Sequence, residues 1–248
     1  VPPDVTVLDA FAFAWFVLAW VGYTVVTDWN AHRISGVNHR MREVRRVWME
    51  RMIERDNRIF DAQLIGHSIN SVTFFASTSV LVLAGLLGVF GAVDAASAVL
   101  TESGVAAGTS KAFFELKLLL MVAIFTYGFL KFTWSLRQYN YTCGLLGAVP
   151  PPGIPPAERR ALAEELSGAM SSAIAAFNAG LRAYYFALAA LTWFIQPWLF
   201  ALATAGVVAV LLRRQLGSPF ADTLDRAATL LGGSRPRPEA PSTEVRSP

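Results

Sequence analysis

Lysine is nearly missing from this chain: of 21 basic residues only Lys111, Lys117 and Lys131 are lysine, and the rest are arginine. Charge as a whole is thin, at 16% of 248 residues, where soluble domains carry about a quarter. The deficit is uneven, because charges gather in a few blocks and leave long apolar runs between them. That is the pattern of a polytopic membrane protein. A single cysteine, Cys143, excludes an internal disulfide and a cysteine-built metal site. Three histidines, His32, His39 and His67, leave little material for a metal centre. Only His67 lies near a span, so a b-type haem has no matched pair of axial ligands. There is no Gly-rich phosphate loop, no G-x-S-x-G and no H-E-x-x-H. The expectation is a non-enzymatic protein without cofactor or metal. A net charge of +3, with acids interleaved among the arginines, does not suggest a nucleic-acid partner.

What is present is hydrophobic length. Four runs read as spans: residues 7–27, 69–92, 113–135 and 183–212. A run of about 20 residues at ~1.5 Å each crosses a hydrocarbon core of ~30 Å. The first carries Phe13, Phe16, Trp20 and Tyr23 at helical spacing, an aromatic packing stripe. Asp9 stands in its first turn, where a helix N-terminus favours an acid. The second span places Asn70, Thr73 and Ser77 on one face at its entry, and Ala84, Gly88 and Ala92 at four-residue steps toward its exit. Small residues at that spacing allow close helix packing in lipid. Glu115, Lys117 and Lys131 lie near the ends of the third span, where snorkelling relieves the cost of a charge. The fourth span is long, and Pro197 in its middle predicts a kink.

Residues 28–68 hold eight arginines. From Arg40 onward, Met41, Val44, Trp48 and Met52 form an apolar stripe, and Arg46–Glu50 and Glu54–Arg58 are spaced to pair. This predicts an amphipathic helix, lying on the membrane or on another helix, that leads into the second span. The segment AVPPPGIPP, residues 148–156, breaks any helix. Residues 216–248 form a polar Pro/Gly/Ser-rich tail whose last part composition marks as disordered. The fold class is therefore all-α: a four-span membrane domain over 1–215, followed by the tail. The first loop and the third, with Arg137, Arg159, Arg160 and Arg182, carry most of the loop arginine. The positive-inside bias puts both in the cytoplasm and both termini outside, with Arg213 and Arg214 pulling the other way.

The phrases RDNRIFDAQL, FFASTSVLVLAGLLG, KLLLMVAIFTYGFLKFTWSLRQYNY and FNAGLRAYYFALAALTWFIQPWLF, in that order, resemble the bacterial inner-membrane family catalogued as domain of unknown function five-nine-nine. The resemblance covers roughly residues 7–215. It implies a four-span integral membrane protein of the bacterial inner membrane and implies no activity.

Polar groups converge at the cytoplasmic level of three spans: Arg55, Asp56, Arg58, Asp61 and Asn70; Arg137, Tyr139 and Asn140; Asn178 and Arg182. Groups at that depth need partners. Asp56 or Asp61 is expected to pair with Arg137 or Arg182. The surplus of arginine leaves a pocket for a lipid headgroup as the alternative. The expected role is a structural, accessory or assembly component, with lipids and other membrane proteins or further copies of itself as partners. The alternative is a homo-oligomeric channel or transporter for a small ion or solute.

Overall fold

The computed structural model describes residues 5–29, 37–94, 110–216, 223–224, 226–227 and 230–231. Among these residues there are six α-helices and no strand: α1 Val7–Trp29, α2 Val37–Ile53, α3 Ile59–Gly91, α4 Lys111–Gly147, α5 Pro156–Leu191 and α6 Pro197–Leu216. A 3₁₀ turn, Thr192–Phe194, joins the last two. All but α2 are long and apolar enough to cross a membrane.

The α4–α5 hairpin is the axis of the molecule. Its helices of 37 and 36 residues are each about 55 Å long at ~1.5 Å per residue, well beyond a ~30 Å hydrocarbon core. They end where the Pro-rich segment interrupts them. Gly153 there has φ +112°, a conformation that favours glycine. The hairpin closes tightly at Gly128 and Gly180. A Cβ on Gly180 would come within 2.5 Å of the Phe132 ring, so only glycine fits. Ser135 donates to the Ala173 carbonyl (2.7 Å) one turn further along.

The other helices flank this hairpin. α3 rests chiefly on α4 and reaches α5 through Phe75 and Ser79: Phe75 meets the Phe177 ring, and Ser79 shares a hydrogen bond of 3.0 Å with Tyr184. α1 packs on α6 and the C-terminal half of α5 through its aromatic stripe. Phe16 meets Phe186 and Phe200, and Trp20 stacks on Phe186. α2 lies against α5 and buries Val47, Met49, Met52 and Ile53.

Three expectations change. First, the run 183–212 is not one kinked span. Pro197 has no N–H to bond Trp193 O and its ring clashes there, so the chain turns at 192–196 and α6 folds back along α5. Arg214 at the far end of α6 reaches the Tyr185 hydroxyl. The structure thus has five candidate spans where hydropathy suggests four. The missed membrane length is the start of α5's apolar part: no charge occurs between Glu165 and Arg182, but Ala, Ser and Gly there are too small to register as strongly hydrophobic.

Second, α1 and α6 run side by side. Asp9 meets Trp193 at one end of the bundle, and Tyr23 meets Gln215 at the other. The two helices are therefore parallel, and the start of α1 lies at the pole opposite to the end of α6. Third, the amphipathic segment is separated from α3 by a break at 54–58. Glu54 then turns to Arg159, and Arg58 turns to backbone carbonyls, because four-residue spacing no longer places the two together. Arg46 and Glu50, still within α2, do pair at 3.7 Å. The loop 95–109 and the end of the tail lie outside the described residues.

Candidate functional site

The arginine-rich end of the bundle is built around two polar knots. In the first, Asp61 in the opening turn of α3 is 2% exposed. Its Oδ1 accepts from Trp48 Nε1 (2.6 Å) and from Arg55 Nη1 (2.6 Å), while Oδ2 is buried without a partner. Arg58 donates to four carbonyls: Arg55, Ile53, Val149 and Pro150. One guanidinium so closes both chain breaks at this end, each of which leaves carbonyls that no helix N–H can reach. In the second knot, Arg45 is 6% exposed and donates to Ser171 Oγ (3.0 Å). It lies near Tyr139 of α4, which in turn neighbours Ser68 of α3. Burial pushes the Arg45 guanidinium down from its ordinary value, with Tyr139 opposing and Arg42 reinforcing the shift. α2, α3, α4 and α5 all meet here.

Around these knots the surface carries an ion-pair ladder. Glu50 approaches Arg46, Arg159 and Arg160, and Glu164 approaches Arg42. The Arg46 guanidinium is raised, first by its hydrogen bond to Glu43. Pairs at the surface, even partly covered as these are, contribute ~0–1 kcal/mol each, so the ladder orients α2 more than it holds it.

The structure brings only part of the anticipated cluster together. Asp61 and Arg55 are joined to each other, and Tyr139 is buried in the second knot. The expected cross-helix pairing of Asp61 with Arg137 is not formed. Arg137 is exposed and donates to Tyr141 one turn along α4. Asp56, Asn70 and Asn140 are exposed. Asn178 and Arg182 are half-buried on α5, and neither is free. The reason lies in helix phase: 137 and 140 lie on the face of α4 away from the hairpin, whereas Ser135, Tyr139 and Thr142 face inward. The anticipated packing residues Ala84, Gly88 and Ala92 are exposed, and nothing approaches the Gly88 position within 4 Å. The close contact within the chain is made by Gly128 and Gly180 instead.

Arg45 is the residue that sequence reasoning passes over, since it looks like one arginine among eight. Its signal is phase: it lies one turn before Met49 and two before Met52 and Ile53, on the buried side of α2.

A second polar site occupies the opposite pole. Lys117 is 5% exposed, and its Nζ donates to Trp193 O (3.0 Å) while lying 4.4 Å from the Phe113 ring. That carbonyl is the one orphaned by Pro197. The Trp193 indole N–H donates to Asp9 Oδ1 (2.8 Å), and Asp9 Oδ2 accepts from the Thr6 amide and hydroxyl. The Thr6 hydroxyl oxygen in turn accepts from the Asp9 amide N–H (3.2 Å), completing a reciprocal helix-capping arrangement. Asp9 and Lys117 therefore clasp one tryptophan from two helices and hold the turn. Cation–π contact with Phe113 and Trp193 offsets part of the desolvation of the ammonium.

No group of three or more His, Cys, Asp and Glu side chains able to hold a metal occurs among the described residues. Comparison with curated proteins and with solved structures yields no match. The family model described as "Protein of unknown function, DUF599" matches residues 11–220, most of the chain, and the protein belongs to that family.

Proposed function

We propose that the chain is a non-enzymatic, five-pass protein of the bacterial inner membrane that acts as a structural or assembly component. The arginine-rich pole is cytoplasmic, the N-terminal end outside and the C-terminal end inside. With five crossings Arg213 and Arg214 fall on the same side as the other arginines, which supports this orientation.

One observation carries the reading. Asn70, Thr73, Ser77, Leu81, Ala84 and Gly88 recur at three- and four-residue steps along α3, and all are exposed. Their opposite face, with Val72, Ala76 and Ser79, is the one packed on the hairpin. A stripe of small residues with polar groups at its inner end suits a second helix better than lipid. Native mass in nanodiscs tests this. The wild-type chain is expected with a partner or a second copy. Gly88→Leu should dissociate it, and Gly22→Leu on α1 should not. A monomer unaffected by Gly88→Leu overturns the proposal.

The exposed Asn70, Thr73 and Ser77 also favour a second reading, a homo-oligomeric channel with α3 lining the path; an oligomer that conducts ions across a planar bilayer selects it. Orientation is tested separately in a Cys143→Ser background. Thr6→Cys should react with an impermeant thiol reagent in intact cells, and Ser247→Cys only after lysis. The reverse pattern overturns the assignment.

A further inference from the structure

Between them, α1 and α4 leave a groove of about 400 Å³. Trp20, Val21, Thr24 and Val25 form one wall, and Leu120, Ala123, Ile124 and Tyr127 the other. The walls are almost wholly apolar, as an acyl chain requires. The groove runs toward the arginine-rich pole, because α4 continues from Tyr127 to Lys131 in that direction. Lys131 lies one turn beyond the groove, its Nζ 5.4 Å from the Tyr127 ring. It has no ion pair or hydrogen bond among the described residues.

We propose that this groove is a binding site for one anionic phospholipid of the inner leaflet, its acyl chain between α1 and α4 and its phosphate at Lys131. Charge decides the class of lipid. Lys131 is the one lysine at this pole; Lys117 is tied to Trp193 and Lys111 to Asp94 at the other end. A half-buried lysine one turn beyond an apolar groove, its ammonium beside a ring, is complemented by a phosphate at headgroup depth. A cavity of this size lies within the usual range for ligand sites, roughly 300–1,000 Å³. The site rests on the membrane-spanning arrangement and is independent of what covers α3.

The test uses full-length protein reconstituted in vesicles of equal phosphatidylglycerol and phosphatidylcholine, then extracted and examined by native mass spectrometry. The wild type is expected to retain one phosphatidylglycerol in preference to phosphatidylcholine. Lys131→Gln should lower that preference about fivefold, which corresponds to about 1 kcal/mol for one interfacial cation. Ala123→Trp fills the groove from an exposed position and should abolish retention of both lipids, with the melting temperature unchanged. Equal retention of the two lipids by the wild type overturns the proposal, as does a preference that survives Lys131→Gln. Undiminished retention in a folded Ala123→Trp variant places the lipid elsewhere and also overturns it. None of these outcomes depends on the Gly88→Leu result.

Discussion

The two halves of the α4–α5 hairpin belong to one pair of helices and yet are built by different rules. Toward the pole at Trp193 the core is aromatic: Phe16, Phe113, Phe186, Trp193 and Phe200 are buried there. The surface around them is also apolar, with Phe11, Leu18, Leu116, Leu119, Leu188 and Leu202 exposed. Toward the arginine-rich pole the core is aliphatic and methionine-rich: Met49, Met52, Ile53, Leu166 and Met170. There the surface is ionic, with Arg51, Glu54, Glu158, Arg160 and Glu164 exposed. The cores differ only in kind of apolar residue. The surfaces differ in solvent. A surface of Leu and Phe is stable only against hydrocarbon, and a surface of Arg–Glu ladders only against water. The boundary between the two therefore reads as a membrane face, and the arginine-rich part of the hairpin with α2 stands clear of it.

The comparison can be broken at the point where the halves meet. Phe132 is fully buried, packs on Phe75, Phe177 and Tyr184, and fills the space left by Gly180. Phe132→Ala should cost about 3–5 kcal/mol. If the hairpin is one cooperative unit, fluorescence changes from Trp48 at the arginine-rich pole and Trp193 at the opposite pole should move together in denaturant. Separate transitions would show two independent halves.

A second change sharpens the same junction. Gly180→Ala should cost about 1–3 kcal/mol, as overpacking does. In a Phe132→Ala background the added methyl has room, and the cost should disappear. An additive double-mutant cycle would show that the two helices are not held by this contact.

The polar sites of the two poles should respond unequally. Asp61→Ala leaves Trp48 and Arg55 without their acceptor and should cost about 2–3 kcal/mol. Lys117→Met removes one hydrogen bond but keeps the apolar stem and relieves a desolvated charge, so about 1 kcal/mol is expected. Thermal unfolding in detergent ranks the pair; a larger loss for Lys117→Met would make the clasp at Trp193 the stronger lock. The smallest effect belongs to the ladder. Glu54→Ala, at an exposed pair with Arg159, should cost at most about 1 kcal/mol. That difference should fade at high salt. A salt-independent loss would mean that α2 is anchored by the pair itself.

The sequence by itself determined that the chain is helical, that it is hydrophobic enough to enter a membrane, where its Pro-rich break lies and which family it resembles. Those properties are local: a run of apolar residues, a cluster of prolines, an unbroken string of matching motifs. It also showed the aromatic face of α1, because a period of 3.6 depends only on the chain itself. The number of candidate spans was decided by tertiary structure. Hydropathy reports apolar length, and Ala183–Leu212 is equally apolar whether Pro197 bends one helix or separates two. The partners of Asp61, Arg58 and Lys117 were likewise decided by the fold. Each answers a carbonyl, an indole or a guanidinium that a chain break or a neighbouring helix presents. For Arg58 and Lys117 in particular, an orphaned carbonyl exists only once the helix has ended and the next one has arrived.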